Sequence, residues 1–144
     1  MEIQIRTISS SLTYSAVGGA IYATAIPPGA FSFTLDFDLP RGAEITEVVF
    51  FVVDNHATDM ALGLRSYIPE TGQTEFLASG SSSGASTEIQ IIVFPIDPPV
   101  QMNPTTTAYR LRVQPNVASS AHLLYGARVG YTIPTAFLPL VRNE

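Results

Sequence analysis

The strongest constraint in this sequence is a period of two in its apolar residues. From Ser32 to Leu39, apolar and polar side chains alternate without a break. Successive side chains of a β-strand point to opposite faces of the sheet, so this alternation predicts a strand with one buried face and one exposed face. An α-helix repeats every 3.6 residues and would spread the same apolar side chains around its surface.

Similar patterns recur along the chain, separated by turn residues. Further strands are predicted at Glu2–Ile8, Ala20–Ile26, Met60–Tyr67, Gln73–Ala78, Ser86–Phe94, Thr107–Val113 and His122–Ile133. Gly, Pro and Ser clusters predict turns at residues 27–29, 40–42, 69–72, 79–84 and 95–99. No stretch shows a helical period. About eight to ten short strands predict an all-β, single-domain antiparallel β-sandwich, specifically a jelly roll.

Both ends of the chain are expected to form extended arms. The sandwich domain is predicted to span residues 1–133, with Glu2–Ile8 able to add as an edge strand. Residues 134–144 contain two prolines among apolar residues. Because proline cannot donate to a strand ladder, this segment is predicted to be an extended C-terminal strap.

Composition excludes several kinds of site. The chain has no cysteine, which excludes disulfides and cysteine-ligated zinc. All seven basic residues are arginine, which excludes lysine Schiff-base chemistry and a P-loop lysine. The net charge of −5 argues against nucleic acid or an anionic membrane as the main partner. No apolar run approaches the roughly 18 residues of a membrane span, so no membrane insertion is expected.

Two segments are apolar on both faces, namely Val48–Val53 and Ile91–Phe94. Such strips promote aggregation if one side stays exposed. Either a loop or arm of the same chain covers them, or another copy does. The chain also has no lysine, the residue with which sheet edges are often protected. We therefore predict a subunit interface formed by Val49, Phe51, Val53, Ile92, Phe94, Phe137, Leu138 and Leu140.

The leading functional hypothesis is accordingly a non-enzymatic structural protein. It would be a self-assembling subunit of a homo-oligomeric surface, filament or capsid-type assembly, with a trimer as the expected form. The alternative hypothesis is a carbohydrate-binding or ligand-binding β-sandwich module that calcium stabilises. No catalytic residue and no bound cofactor is predicted, since the chain has no Gly-x-Ser-x-Gly elbow around a nucleophilic serine.

A polar cluster follows the apolar strand that ends near Val53. Asp54, Asn55 and Asp59 supply side-chain oxygens, the ligands that calcium prefers, and they form the candidate metal site. Ordinary turn chemistry is the alternative, because Asp and Asn readily accept hydrogen bonds from nearby backbone N–H groups. Both histidines, His56 and His122, are expected on the surface or in turns.

Other polar and aromatic residues leave two further alternatives open. Arg110, Arg112 and Arg128 either bind an anion together or pair across strands with acidic residues, namely Asp36, Asp38 and Glu47. Asp36 and Asp38 are expected to form a solvated face rather than a glycosidase pair. The tyrosines either form a sugar-stacking platform or lie in the core, and the core is expected for most of Tyr14, Tyr22, Tyr67, Tyr109, Tyr125 and Tyr131.

Several stretches taken together carry a family resemblance. They are Gly18–Tyr22, Leu39–Thr46, Val53–Asn55, Ser79–Ala85, Ala108–Val113 and Leu124–Tyr131. In this order they resemble an uncharacterised class of secreted bacterial β-sandwich modules that has no assigned activity. The resemblance implies an extracellular or cell-surface location and supplies no site residues. The first twenty residues lack the apolar core of a signal peptide, so we expect a processed chain or, alternatively, a virion protein.

Overall fold

The computed structural model describes residues 1–5, 8–10, 12–26 and 32–134. In these residues every regular element is a β-strand. The strands are β1 (Glu2–Ile5), β2 (Ile8–Ser10), β3 (Thr13–Val17), β4 (Ala20–Ala25), β5 (Phe33–Asp36), β6 (Glu44–Asp54), β7 (Ala61–Ile68), β8 (Gln73–Ser81), β9 (Gln90–Gln101), β10 (Ala108–Gln114) and β11 (His122–Thr132). No helix in this part of the chain is long and apolar enough to cross a membrane.

The strands form two antiparallel sheets. The first sheet has the order β3-β4-β11-β6-β9, with β1 also paired to β11, and the second has the order β2-β5-β10-β7-β8. The four strands β4-β11-β6-β9 and the four strands β5-β10-β7-β8 interleave along the chain as the strands of a jelly roll do. The predicted all-β sandwich is therefore confirmed.

The core lies between the two sheets and follows the period-two pattern. Phe33, Leu35, Phe37 and Leu39 are all buried, although the strand β5 itself ends at Asp36. Across from them Phe50 and Val129 contribute from the first sheet. This alternation fixes which side chains of β5 point away from the core, and those side chains form part of the candidate site.

The strands differ from the sequence prediction at several places. Strand β9 continues through Pro95, Pro98 and Pro99, where a turn is expected from the sequence. Because β9 is the last strand of its sheet, it has a partner on one side only, and edge strands tolerate proline. Strand β8 extends beyond Ala78 to Ser81. Strand β3 is absent from the prediction because its residues are largely exposed and show no alternation.

The N-terminal residues contribute to both sheets. The predicted strand Glu2–Ile8 divides into β1, which pairs with β11, and β2, which pairs with β5. The terminal ammonium of Met1 donates to the Tyr131 carbonyl at 2.8 Å, and the Tyr131 N–H donates back to the Met1 carbonyl at 2.7 Å. Residues 135–144, which include the predicted interface residues Phe137, Leu138 and Leu140, lie outside the described residues.

The strands that are apolar on both faces have a defined orientation. On β6, Phe50 packs in the core, so Val49, Phe51 and Val53 belong to the outer face of the first sheet. Ile92 pairs with Phe50 across β6 and β9, and this places it on the inner face.

Phe94 also lies on the inner face of β9. It pairs with Val48 in the strand register, and its ring makes an edge contact with Phe50 at a centroid distance of 5.8 Å. Ile92 and Phe94, which the sequence prediction assigns to a subunit interface, thus pack against the core. The outward residues are Ile91 and Val93, which are 65% and 47% exposed.

Candidate functional site

The outer face of the second sheet carries an ordered row of side chains. Asp36 on β5 pairs in register with Arg110 on β10, Arg110 pairs with Arg65 on β7, and Arg65 pairs with Phe76 on β8. Their chain neighbours Leu35, Leu64 and Leu111 are buried in the core. Since successive side chains of a strand alternate between faces, this row points away from the core.

Phe76 is the aromatic centre of this face and is 50% exposed. The Arg65 guanidinium lies 5.0 Å from its ring centroid and the Arg112 guanidinium lies 5.9 Å from it. Both distances fall within the range of cation–π contacts. The ring also covers Gly63, where an added Cβ would be 2.7 Å from the Ala78 carbonyl oxygen and 3.5 Å from Cδ1 of Phe76. Glycine at position 63 therefore permits the close approach of the Ala78 carbonyl, and the Phe76 ring packs over it at ordinary contact distance.

A groove of about 230 Å³ lies beside Phe76. It is lined by Ser32, Thr34, Arg65, Tyr67, Thr74, Arg110 and Arg112. The lining thus combines guanidinium donors with hydroxyl groups that both donate and accept. We call this groove, together with Phe76, the arginine groove.

A second cavity of about 400 Å³ adjoins the arginine groove at one end of the sheet. Arg110 and Asp36 lie at the junction, because Arg110 lines both cavities and Asp36 lines the second. The lining also contains Asp38, Glu70 and residues 104–107. We call it the acidic end cavity. The two cavities together form a continuous polar surface with positive charge at one end and negative charge at the other.

The arginines of the groove have different partners. Arg110 Nε lies 2.9 Å from Oδ1 of Asp36, and both side chains are about half exposed. Arg112 donates to Oε1 of Gln114 at 2.8 Å. In the described part of the chain neither Arg65 nor Arg112 forms an ion pair. Burial, and after it the charge of Arg65, lowers the pKa of Arg112 from its ordinary value.

The predicted calcium ligand Asp54 is instead the centre of a buried hydrogen-bond network. Its Oδ2 accepts the Ser82 hydroxyl at 2.5 Å, and its Oδ1 lies 3.1 Å from Nε2 of His122. The backbone N–H of Asn116 donates to Nδ1 of His122 at 3.0 Å. Nε2 of His122 therefore carries the ring proton and shares it between Asp54 and the Thr58 carbonyl, which is 2.8 Å away. His122 is fully buried, contrary to the surface or turn position expected from the sequence.

The other two predicted calcium ligands have separate surroundings. Asn55 is exposed, and Oδ1 of Asp59 accepts the Gly84 N–H at 2.9 Å. The described residues contain no group of three or more His, Cys, Asp or Glu side chains that could hold a metal ion. Both oxygens of Asp54 already accept protein donors, so turn and loop hydrogen bonding accounts for this cluster.

The Ser82–Asp54–His122 arrangement also differs from a nucleophilic triad. In a triad the histidine contacts the serine and the carboxylate orients the histidine. Here the serine hydroxyl donates to the carboxylate, which lies between the serine and the histidine. Ser82 is itself buried. These hydrogen bonds therefore hold together the loops that connect the two sheets, and the Ser82 hydroxyl is not placed to act as a nucleophile.

Sequence reasoning found only part of the arginine groove. Arg110 and Arg112 lie in it, and the proposed pairing of Arg110 with Asp36 is present. Arg128 lies on the other sheet, 4.9 Å from the Phe51 ring centroid. Arg65 and Phe76 were missed. The sequence contains one signal for Phe76. It lies two residues after the polar Thr74 on a predicted strand, and this spacing places it on the polar face.

The tyrosines also differ from the expectation that most are buried. Tyr109 and Tyr131 are buried in the core, whereas Tyr14 and Tyr125 are exposed. Tyr67 is half-buried and lines the arginine groove. One tyrosine therefore joins Phe76 on the candidate binding face.

Comparison with known proteins gives a fold relationship. No protein-family model matches the sequence, and no curated protein matches it. Among solved structures, the xylan-binding module CBM15 is similar with a TM-score of 0.54 and 9% identity, over 90% of this chain and 95% of that chain. The carbohydrate-binding module CBM36, in complex with calcium and xylotriose, aligns with a TM-score of 0.44 and 7% identity, over 92% of this chain and 99% of that one. The similarity to the xylan-binding module shows a shared β-sandwich fold.

Proposed function

We propose that this chain is a carbohydrate-binding β-sandwich module whose binding surface is the arginine groove and the adjoining acidic end cavity. The observation that carries the proposal is Phe76, a half-exposed aromatic ring that two guanidiniums contact beside a groove lined with hydroxyl groups. A half-exposed phenylalanine on a face made largely of polar side chains has no role in the core.

The chemistry of this face suits a sugar. A pyranose ring has apolar C–H faces, which pack on an aromatic ring, and hydroxyl edges, which exchange hydrogen bonds with arginine, serine, threonine and tyrosine side chains. Binding sites commonly combine an apolar surface with a few well-placed polar groups of this kind. The groove therefore offers both kinds of contact that a sugar ring needs.

The scaffold keeps these groups in place before any ligand binds. The side chains come from β5, β10, β7 and β8, which are joined by antiparallel ladders. From β5 to β8 the face spans three inter-strand spacings, or about 14 Å, enough for a short oligosaccharide. A preorganised site loses less conformational entropy on binding than a flexible one.

The shared fold supports the choice of a first probe. The similar solved structure is named as a xylan-binding module, so a xylo-oligosaccharide is the appropriate starting ligand. Such a module would act on polysaccharide outside the cell, which agrees with the extracellular location implied by the resemblance to secreted bacterial modules.

Isothermal titration calorimetry with xylo-oligosaccharides tests this function. The Phe76→Ala variant is expected to bind about fivefold to thirtyfold more weakly, because it loses an aromatic contact of roughly 1–2 kcal/mol. Tyr125→Ala removes an exposed aromatic from the first sheet and is expected to bind as the wild type does. Equal affinity of the Phe76→Ala variant and the wild type would contradict the proposed site.

A second candidate function is the self-association expected from the sequence. It is favoured by the exposure of Ile91 and Val93 beside the partly covered Phe51 on the outer face of the first sheet. Light scattering across a range of protein concentrations tests it. Association that an Ile91→Ser change abolishes supports this candidate, and a monomer at about 100 μM opposes it.

A further inference from the structure

We infer that the arginine groove selects sugars carrying an anionic substituent, a carboxylate or a sulfate, on an otherwise neutral oligosaccharide. The inference rests on the proposed carbohydrate-binding function and specifies the ligand chemistry of the same site. Arg65 and Arg112 are the residues assigned to the anionic group.

The charge distribution is the first support. The chain as a whole has 12 acidic and seven basic residues, yet Arg65, Arg110 and Arg112 all line one groove. Of these three arginines, Arg110 is the one that Asp36 neutralises. A protein of net negative charge thus concentrates three of its seven cations on one face and leaves two of them without an ion pair among the described residues.

The strand register is the second support. Arg65 and Arg110 are directly opposite each other on adjacent strands, and like charges in this position are destabilising. Arg112 lies on the same face two residues further along β10. The lowered pKa of Arg112, caused by burial and then by Arg65, agrees with crowded positive charge. Repulsion between the guanidiniums opposes folding, and an anionic ligand would relieve it.

The orientation of the guanidiniums is the third support. Both the Arg65 and the Arg112 guanidinium contact the single ring of Phe76, and such contacts hold a long side chain in one place. Arginine has five N–H donors in a planar fork that fits a carboxylate or another oxyanion with two parallel hydrogen bonds. Gln114 accepts one donor of Arg112, so further donors remain for a ligand.

The acidic end cavity limits how much negative charge the ligand carries. Asp36, Asp38 and Glu70 line the cavity directly next to Arg110, and they would repel a uniformly charged polyanion. Their carboxylates are suited to accept hydrogen bonds from sugar hydroxyls. The pair of cavities therefore fits a sparsely charged sugar chain, with its anionic group at Arg65 and Arg112 and neutral sugar units towards Asp38.

The test compares matched ligands by calorimetry at about 50 mM and 500 mM NaCl. They are a neutral xylo-oligosaccharide, the same oligosaccharide with one glucuronate substituent, and the same oligosaccharide with one sulfate. The substituted forms are expected to bind at least tenfold more tightly than the neutral form at low salt. Since salt screens partly exposed charge interactions, this advantage is expected to shrink severalfold at high salt.

Matched variants assign the effect to the groove. Arg112→Gln and Arg65→Gln are expected to weaken binding of the charged oligosaccharides by a larger factor than binding of the neutral one, so that most of the advantage of the charged ligands is lost. Arg128→Gln is the control, because Arg128 also lies over an aromatic ring but on the other sheet. Circular dichroism melts of all three variants establish that each is folded at the titration temperature.

The outcomes separate this inference from the proposed function. Equal binding of neutral and charged oligosaccharides overturns the inference and leaves carbohydrate binding intact. Failure of every sugar to bind overturns both. A preference for sulfate or for carboxylate supports the inference and identifies the substituent, and tighter binding of a DNA oligonucleotide than of any sugar overturns it.

Discussion

The role of Asp54 follows from its burial. It accepts hydrogen bonds from Ser82 and His122, and from the His56 N–H at 3.2 Å, in a site with no exposure to solvent. Ser82 in turn accepts the Met60 N–H at 2.7 Å. One carboxylate therefore connects the loop after β6 with the ends of β8 and β11.

Removing this carboxylate is expected to be costly. Asp54→Ala leaves the Ser82 hydroxyl and one His122 contact without an acceptor in a dry environment, and each such loss costs about 1–3 kcal/mol. We therefore expect the free energy of unfolding, measured in urea, to fall by at least about 2 kcal/mol. The exposed Asp38→Ala is the control and is expected to change it by less than about 0.5 kcal/mol. Similar values for the two variants would contradict the buried network.

For single residues, the sequence located the polar cluster after β6 but did not distinguish the roles of its members. Asp54 and Asp59 looked equivalent as candidate metal ligands, but one is fully buried and the other exposed. Their difference arises from Ser82 and His122, which are distant in sequence. Arg65 and Phe76 were missed for the same reason, since their contact depends on the pairing of β7 with β8.

Strands β6 and β9 show the corresponding limit for elements. Their existence follows from their apolar composition, but a strand that is apolar at both parities does not reveal which side faces the core. Only the pairing register, in which Phe94 opposes Val48 and Val93 opposes Val49, assigns the faces. The strands with strict alternation, such as β5 and β10, were assigned correctly because only one parity can be buried.

A pair of neighbouring substitutions on β9 tests this assignment. Phe94→Ala removes a ring that contacts Phe50, and it is expected to lower the free energy of unfolding by about 2–4 kcal/mol. Val93→Ala, next to it on the exposed face, is expected to cost less than about 1 kcal/mol. Urea denaturation of both variants provides the comparison. A larger loss for Val93→Ala would show that the faces are reversed.

For the whole molecule, the all-β class follows from the period of two and the regular turn signals. The strand order does not, because it depends on contacts such as that between Met1 and Tyr131, which are 130 residues apart in the chain. The candidate binding face shares this property, because it takes its residues from four strands of the second sheet. A surface assembled across strands leaves no contiguous motif in the sequence.

The most direct test of the central claim is to locate bound sugar on the folded protein. In an NMR titration of ¹⁵N-labelled protein with the glucuronate-substituted xylo-oligosaccharide, we predict that the largest amide shift changes occur on β7, β8 and β10, including Arg65, Phe76 and Arg112. Changes centred on Phe51, Ile91 and Val93 of the first sheet, or no changes at millimolar ligand, would contradict it.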